Sequence, residues 1–393
     1  MKITIIGAAG TQALGIIDDL ARYEPDVKLL LLDVSETALN TRRALFPAMQ
    51  IETAVVDLAD EAAVASAVST SDVIIMAGPT GLCIAATRAA LRAGVHYVDL
   101  GTFPEETEEQ LALHKDFQRA DRIAVLGVGS APGITSVMAR ACVDRLDTVS
   151  DIDVSIAMRD LTDRNGRIRW PFTADAILDE HTEPARAFLG GRLVDLPPRT
   201  GRVETYPAPI GNVTVMATNH PEPTTFARSF ADKGVQNVVF RIGLPDDVDH
   251  AVTMLNAMGL AARRDLTLRG GDVVDLRKVV LAALMSTDQS LAEQEEQWSA
   301  TRVVARGNRG GSEVEITAEM IVAPQPEVNL PAGLMKTAIP PAIVAVMIAR
   351  GEVTERGVLV PETCIDPDPF FRRLATRRME VRLTEAQILG GVR

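Results

Sequence analysis

Aromatic residues, cysteines and net positive charge are all scarce in this sequence. Only 4% of the 393 residues are aromatic, and the three cysteines, Cys83, Cys142 and Cys364, are scattered singly. Single cysteines indicate a reducing compartment and neither a disulfide framework nor a zinc site. The formal net charge of -13 disfavours nucleic acid and anionic membranes as partners, because like charges repel. These absences predict a cytoplasmic protein that binds small molecules.

Neither a leader segment nor a membrane-spanning run is expected. Met1 leads directly into a predicted strand, which is not the pattern of a secretory signal. The longest apolar run, PPAIVAVMIA at residues 340–349, is shorter than the roughly 20 residues of a membrane-spanning helix. The sequence therefore predicts no membrane span.

The first 145 residues alternate short apolar runs with alanine-rich stretches. The runs KITIIG, KLLLLD, IETAVVD, DVIIMAG, VHYVDLG and RIAVLGVG are apolar on both faces, as buried parallel strands are. Stretches such as DEAAVASAVS and GLCIAATRAALRAG predict helices between them. Strand and helix in alternation predict an α/β fold with a Rossmann-type doubly wound parallel sheet.

The pattern changes after Arg145. VSDIDVSIAMRD, GNVTVMATN, VQNVVFRIG and SEVEITAEMIVA alternate apolar and polar residues, which predicts antiparallel strands with one open face. From about Thr337 an apolar helix returns to the first domain. We therefore predict a dinucleotide-binding domain of residues 1–145 and 337–393, interrupted by an α+β domain of residues 146–336.

The opening stretch KITIIGAAGTQALGIIDDLARY predicts a strand, a glycine turn and a helix. Gly7 permits the tight turn, and Gly10 permits close backbone approach in a spacing that ends at Ala13 or Gly15. The helix N-terminus then offers its N–H groups to phosphates. The other predicted cofactor contacts in this turn are Ala9, Thr11 and Gln12. Taken alone, this variant turn is also compatible with an ordinary strand-to-helix connection.

Asp33 makes a dinucleotide site the better interpretation. It ends the second predicted strand, where a carboxylate accepts the ribose hydroxyls and repels a 2′-phosphate. This predicts NAD in preference to NADP, although NADP is not excluded. As a helix cap Asp33 is second to Ser35, and Arg42 and Arg43 are interpreted as solvated helix residues. The remaining predicted cofactor contacts are Asp57 on the adenine side and Ala77, Gly78 and Pro79 on the nicotinamide side.

Five stretches resemble the saccharopine dehydrogenase-like family almost from end to end. They are AGVHYVDLG, GVGSAPGITSVMARACVD, TNHPEPTTFAR, KTAIPPAIVAVMIARGEV and GVLVPETCIDPDPFFRRLA, in that order. The resemblance implies a nicotinamide-binding domain interrupted by a domain that helps to bind the substrate and forms a homodimer. It also implies oxidation of an amine or secondary amine of an amino acid or related compound, or the reverse imine reduction.

Two departures from this family's pattern concern the substrate. In saccharopine reductases an Arg follows W-S-P in the second domain, whereas in RWPFTADAIL Thr173 stands near that position. Relatives often carry a Cys close before the APG turn, where this chain has Gly129 and Ser130. We therefore predict a substrate without the second amino-acid carboxylate arm of saccharopine, such as a small or cyclic amine.

Asp99 and His220 are the predicted catalytic residues. A carboxylate at the end of a central strand can stabilise an iminium cation, and an imidazole suits proton transfer near neutral pH. The plainer alternatives are a loop hydrogen bond for Asp99 and a hydrogen-bonded loop histidine for His220. The other predicted substrate contacts are Tyr97, Glu222, Trp170 with its neighbour Phe172, Thr173, and the carboxylate-binding candidates Arg169 and Arg241. Core packing is the alternative for the aromatic residues, and solvation for the arginines.

The sequence thus predicts an NAD-dependent dehydrogenase of an amino acid or amine, most simply a homodimer. One alternative is an NADPH-dependent imine reductase of the opine or carboxynorspermidine type. Another is a non-catalytic nucleotide-binding redox sensor, which the missing glycines alone favour. No His, Cys and Asp cluster has metal-ligand spacing, so no metal site is predicted.

Overall fold

Strand and helix alternate through the first part of the chain. The computed structural model describes residues 1–101, 104–290 and 292–388. The first strands are β1 (Lys2–Ile6), β2 (Lys28–Asp33), β3 (Gln50–Val55), β4 (Val73–Met76), β5 (His96–Asp99) and β6 (Ile123–Val125). The first helices are α1 (Thr11–Tyr23), α2 (Glu36–Ala44), α3 (Glu61–Val68), α4 (Cys83–Ala93), α5 (Pro104–Leu111), α6 (His114–Arg119) and α7 (Ile134–Val143).

Strands dominate the middle of the chain, and helices return near its end. The strands are β7 (Thr148–Asp160), β8 (Ala185–Leu189), β9 (Arg192–Leu196), β10 (Gly201–Thr205), β11 (Asn212–Ala217), β12 (Asn237–Gly243), β13 (Asp265–Thr267), β14 (Val273–Asp275), β15 (Gln297–Arg309), β16 (Ser312–Val322), β17 (Gly357–Leu359) and β18 (Val381–Gln387). The helices are α8 (Ala174–Thr182), α9 (Glu222–Ser229), α10 (Asp246–Ala257), α11 (Leu276–Met285), α12 (Ala332–Ala349), α13 (Pro361–Cys364) and α14 (Pro367–Thr376).

Seven parallel strands form the sheet that the apolar runs predict. Their order across the sheet is β17-β6-β5-β4-β1-β2-β3. The strands β2 and β3 are added on one side of β1, and the later strands are added on its other side, so the order of addition reverses at β1. This confirms the Rossmann-type fold. Ligands of such sheets bind beyond the carboxyl ends of the strands at this reversal, which here lies beside the glycine turn after β1.

A nine-stranded sheet forms the second layer, with the main order β10-β11-β12-β7-β15-β16-β18. The prediction of purely antiparallel strands is wrong at one pair, because β12 runs parallel to β7. The long segment between these two strands includes α8 and α9, and it is long enough to return the chain in the same direction. One face of β15, carrying Ser299, Thr301 and Val303, is buried against α7 and α12.

Helix α12 lies in the core of the protein. It is long and apolar enough to cross a membrane by length and composition, and 83% of it is buried inside the protein. The predicted apolar run covers only its second half, because the helix begins at Ala332 and continues through Pro340 and Pro341. It packs along α1. A Cβ added to Gly15 would lie 2.6 Å from the Cβ of Ala338, so Gly15 is the residue that permits this close approach.

The division of the chain into domains remains a prediction. Segment 337–393 contributes β17 to the parallel sheet, as the predicted return to the first domain requires. It also contributes β18, which pairs with β16 in the nine-stranded sheet. The segment therefore has contacts with both layers.

Candidate active site

The glycine turn after β1 is shaped for close approach by another group. Gly7 has a φ of +78°, and a Cβ there would lie within 2.9 Å of the carbonyl carbon of Ala77. Gly7 and Ala8 donate backbone hydrogen bonds to the carbonyl oxygen of Leu32, which ties the turn to the end of β2. Gly10 is the N-cap of α1 and provides no side-chain cap. The turn therefore fits a dinucleotide pyrophosphate at the helix N-terminus.

Asp33 and Arg42 hold the same turn from the β2 side. Oδ2 of Asp33 accepts a hydrogen bond from the Ala9 amide at 3.0 Å, and Oδ1 accepts one from the Val34 amide at 2.8 Å. The Arg42 guanidinium donates to the carbonyl oxygens of Ala8, Ala9 and Gly10. The interpretation of Arg42 as solvated is therefore wrong, because α2 turns its side chain onto the turn and burial lowers its pKa. The exposed Arg43 does lie in solvent, beside Asn40.

The other predicted cofactor contacts lie along the same edge. Thr11 and Gln12 begin α1, and Ala77 and Gly78 directly follow β4. Pro79 and Asp57 are exposed. Oδ1 of Asp57 accepts a hydrogen bond from the Ala59 amide. These positions are where the sequence places them, and their contacts with a cofactor remain predictions.

A cavity of about 180 Å³ lies where the two layers meet; we call it the central cavity. One wall consists of Gln12, Ser130, Ala131, Gly333, Lys336 and Thr337. The rest of the lining consists of Ile156, Met158, Pro171, Phe172, Glu180, His220, Ile242 and Ser299. The first wall is built by α1, the APG turn and α12, so the cavity begins beside the helix that the glycine turn starts.

His220 is held in one orientation by its neighbours. Its Nδ1 lies 2.6 Å from Oε2 of Glu222, and its ring stacks on Phe240 with 3.9 Å between centroids. Glu222 is fully buried and also accepts a hydrogen bond from the Thr135 hydroxyl at 2.9 Å. Burial alone lowers the pKa of His220, but the carboxylates of Glu222 and Glu180 more than offset this, so its pKa lies above the usual value. Nε2 is the nitrogen left for a ligand.

Glu180 and Lys336 are cavity residues that the sequence reasoning missed. Burial raises the pKa of Glu180 to about 7, although the charge of His220 opposes this. Lys336 is 1% exposed, and its Nζ donates to Oγ1 of Thr301 at 2.9 Å. Burial lowers the pKa of Lys336 to about 7. Lys336 could have been found as the lone charge in the apolar stretch AGLMKTAIPPAIVAVMIA, whereas Glu180 follows no comparable signal.

Several polar atoms of the central cavity are left without partners. Three of them are buried and form no hydrogen bond with any described residue: Oε1 of Gln12, Oγ of Ser130 and Oε2 of Glu180. A buried polar atom without a partner costs about 1–3 kcal/mol. A polar ligand that satisfied these atoms would recover that free energy, so the cavity is suited to such a ligand.

Asp99 and Tyr97 do not line the central cavity. Asp99 is fully buried and accepts hydrogen bonds from the Gly101 and Gly127 amides and from Nε2 of Gln110. Tyr97 is fully buried, and its hydroxyl donates to the carbonyl oxygen of Cys83 at 3.3 Å. The carboxylate of Asp99 turns back to organise two loops, which is the plainer alternative given above. The structure therefore does not bring these two residues together with His220 in the cavity.

Four predicted substrate contacts also lie outside the cavity lining. Arg241 forms an ion pair with Asp153, and Trp170 is 6% exposed in the hydrophobic core. Thr173 is exposed at the start of α8, and Arg169 donates to the carbonyl oxygen of Gln289 at 3.4 Å. Of this loop, Pro171 and Phe172 are the residues that reach the cavity.

Comparisons with known proteins agree over most of the chain. The family model described as "Saccharopine dehydrogenase NADP binding domain" matches residues 3–125, and "Saccharopine dehydrogenase C-terminal domain" matches residues 129–379. The chain is 25% identical over 321 residues to carboxynorspermidine synthase of Vibrio cholerae, covering 77% of this chain and 75% of that protein. It is 23% identical over 297 residues to carboxyaminopropylagmatine dehydrogenase of Synechocystis, covering 73% of each.

One solved structure shares the fold over nearly all of its length. Apo saccharopine dehydrogenase (L-Glu forming) from Saccharomyces cerevisiae superposes with a TM-score of 0.77, covering 98% of this chain and 99% of that chain at 13% identity. At this identity the likeness is one of fold.

Proposed function

The chain belongs to the saccharopine dehydrogenase family and is an NAD(P)-dependent oxidoreductase of amines, and we propose that its reaction takes place in the central cavity. The observation that carries this proposal is the meeting of His220, Glu180 and Lys336 with three unpartnered polar atoms in one cavity. Gln12, in the first turn of α1, joins this cavity to the predicted cofactor site.

His220 is proposed to transfer a proton at the substrate nitrogen. The bound nicotinamide supplies hydride transfer to or from the carbon that bears this nitrogen. Glu222 fixes the ring through Nδ1 and favours its protonated form. The imidazolium can then donate a proton from Nε2 to the imine nitrogen, and the neutral ring can take that same iminium proton in the reverse direction.

Glu180 is proposed to stabilise the cation that develops on the substrate. When hydride leaves the carbon, positive charge grows on the attached nitrogen, and a carboxylate nearby lowers the energy of that state. Oε2 of Glu180 is a buried acceptor without a partner among the described side chains. This is the role that the sequence assigned to Asp99.

The substrate is proposed to be a small amine with at most one carboxylate. The cavity measures about 180 Å³, and no arginine of the described part of the chain lines it. Pockets for drug-sized ligands are about 300–1,000 Å³. A second carboxylate arm would need a bidentate partner of the guanidinium kind, so saccharopine itself is disfavoured.

Imine reduction is the second candidate for the physiological direction. One relative is named a synthase, carboxynorspermidine synthase, and another a dehydrogenase, carboxyaminopropylagmatine dehydrogenase. The first name favours the synthetic direction, which for this class of reaction is imine reduction. The same side chains would serve both directions, because each proton transfer is reversible. The balance of substrates in the cell would then decide which direction prevails.

A substrate panel tests the proposed reaction. The purified protein would be assayed with NAD⁺ and NADP⁺ against amino acids and diamines, and with NADH and NADPH against mixtures of amines with aldehydes or keto acids. Change in absorbance of the reduced nicotinamide is the readout, and cofactor affinity is measured separately. Cofactor binding without turnover of any member would support the redox-sensor alternative. Efficient oxidation of saccharopine would refute the proposed substrate class.

A cytoplasmic homodimer is the proposed assembly. The open face of the nine-stranded sheet has a concavity of about 640 Å³ lined mainly by charged residues, among them Arg202, Arg302, Arg306, Glu315, Glu319 and Arg382. Opposite charges on neighbouring strands can be self-complementary about a two-fold axis.

Light scattering tests this assembly. It should give the mass of two chains for the wild type and the mass of one chain for Arg306→Glu. Arg356→Glu, in a surface pair with Asp121, is the control that should remain dimeric.

A further inference from the structure

Lys336 is an isolated cation in the wall of the central cavity. It is 1% exposed. Its Nζ donates a hydrogen bond to one described side chain, that of Thr301. Within α12 it is the lone charged residue. Lys336 forms no ion pair with any residue that the structure describes, whereas buried lysines are usually paired. Its position therefore lacks the usual structural explanation for a buried lysine.

Most charged side chains on the elements that pack against α12 are paired elsewhere, and Asp368 and Arg372 of α14 are exposed. His96 of β5 accepts a hydrogen bond from the Ile123 amide. The acceptor oxygens of Asp99, on β5, are used by Gly101, Gly127 and Gln110. The ion pairs on α1, β15 and α14 are Asp18–Arg22, Asp19–Arg377, Arg302–Glu319, Arg306–Glu315, Arg309–Glu385 and Arg373–Glu352. Glu180 and His220 are the other titratable groups among the described residues that line the cavity.

The two basic groups of the cavity therefore have opposite environments. His220 has Glu222 against its ring, and two carboxylates favour its charged form. Among the described side chains, the partner of Lys336 is a hydroxyl, and desolvation disfavours its ammonium form, so burial lowers its pKa to about 7. The carboxylates thus favour the histidine as a proton donor, whereas near pH 7 a large share of the lysine is free to take a proton.

We propose that Lys336, as an uncharged amine, is the proton acceptor for the substrate ammonium in the oxidative direction. This rests on the proposed function. The substrate N–H bond breaks and its proton goes to Nζ, which becomes an ammonium group. With a nicotinamide bound, the carbon–hydrogen bond would then break with its electron pair leaving as hydride to that cofactor, and the nitrogen lone pair would form the C=N bond. Thr301 is a positioning residue, because its Oγ1 accepts one N–H of the amine.

Direct titration of the lysine tests this proposal without turnover. The full-length protein with ¹³C-labelled lysine side chains would be titrated by NMR, and Lys336→Met would assign the signal. We expect a titration near pH 7, roughly three units below that of an ordinary lysine. A signal that remains that of an ammonium group up to pH 9 would overturn the proposal, whatever the enzyme oxidises.

Kinetics test the same role through activity. The kcat/KM for amine oxidation should rise with pH through a limb near pH 7. Lys336→Met should lose that limb and fall by about 10²–10⁴-fold, with cofactor affinity retained. In Lys336→Ala, added methylamine should restore part of the rate in proportion to its neutral form. Lys233→Met, which alters a lysine bonded to the Leu146 carbonyl, is the matched control.

The outcomes separate this inference from the proposed function. A lysine that titrates near pH 7 in a protein that turns over no amine would refute the proposed reaction. A wild-type rate and pH profile in Lys336→Met, in an enzyme that does oxidise amines, would refute only the role of the lysine. Loss of folding in Lys336→Met is recognised from its unfolding curve, and rescue of Lys336→Ala by methylamine then decides the question.

Discussion

The Nδ1 atom of His220 lies 2.6 Å from Oε2 of Glu222, whose side chain is fully buried. This pair predicts the effect of Glu222→Gln. Loss of the carboxylate leaves the desolvation of the imidazole unopposed by its nearest partner, so the pKa of His220 should fall. Imine reduction requires the protonated ring, so the limb of its pH–rate profile that reports this ring should move to lower pH. The rate of imine reduction at pH 7 should therefore fall. A pH–rate profile and NMR of the imidazole check this; an unmoved histidine titration would contradict it.

The same pair makes a prediction about stability. Because the pKa of His220 is raised in the folded protein, its contribution to stability is full below the unfolded pKa of about 6.5. That contribution is lost as the pH rises through the folded pKa. This contribution is absent in Glu222→Gln. The free energy of unfolding of the wild type minus that of the variant should therefore shrink from pH 6 to pH 8. Urea unfolding at these two pH values measures it.

Glu180→Gln tests a buried carboxyl group whose uncharged form is favoured. The pKa of Glu180 is raised from 4.5 to about 7, so its stabilising contribution is present at low pH and is lost as the pH rises through about 7. The glutamine cannot ionise. The variant should therefore gain stability relative to wild type between pH 5 and pH 8, and its KM for a cationic amine should rise. Equal pH dependence in the two proteins would contradict the burial of this carboxylate.

Gly7→Val should impair cofactor binding. The residue needs a φ of +78°, and its added Cβ would collide with the backbone of residues 77 and 78. Strain of this kind costs on the order of 1–3 kcal/mol, and the turn would have to move away from the phosphates. Fluorescence titration with reduced nicotinamide measures the affinity. Gly270→Ala is the control, since its Cβ would lie 3.8 Å from the nearest atom, a carboxylate oxygen of Asp272. Full affinity in Gly7→Val would refute the assigned role of the turn.

Asp33→Ser should reduce the preference for NAD over NADP. The charge that repels a 2′-phosphate is lost, while Arg42 remains next to the turn as a partner for that phosphate. A charge-assisted hydrogen bond is worth about 1.5–3 kcal/mol, which corresponds to roughly tenfold to a few hundredfold in selectivity. Arg42→Ala should act in the opposite sense, and Arg43→Ala, on the exposed side of α2, should have no effect. Comparison of kcat/KM for the two cofactors decides it.

Asp99→Asn should affect folding more than chemistry. The carboxylate accepts hydrogen bonds from two amides and from Gln110, and an asparagine would place an NH₂ group against one of these donors. An unsatisfied buried group costs about 1–3 kcal/mol, which should lower the melting temperature by several degrees. Turnover per folded molecule should be nearly unchanged. A large loss of kcat without loss of stability would return Asp99 to the catalytic site.

The sequence predicts the parallel sheet, the glycine turn and His220 because each depends on local pattern. Apolar runs that end in Gly or Asp are sufficient to identify buried strands, and TNHPEP identifies a stiff histidine loop. The direction of β12 relative to β7 depends on a long connection, which no local pattern encodes. Glu180 and Lys336 line one cavity because α8 and α12, which are far apart in the sequence, both border it. Asp99 shows the converse, because its position at a strand end is right but its carboxylate faces backbone amides.

The packing of Gly15 against Ala338 joins the cofactor helix α1 to the helix that carries Lys336. Hydride transfer and proton uptake, as proposed, both depend on this pair of helices, whereas Phe172, Glu180 and His220 come from a separate stretch of chain. Under the proposed mechanism, substitutions in that stretch could alter which amine fits and leave the spacing between cofactor and base intact. Proteins of this fold could then accept different amines through substitutions in one part of the cavity lining.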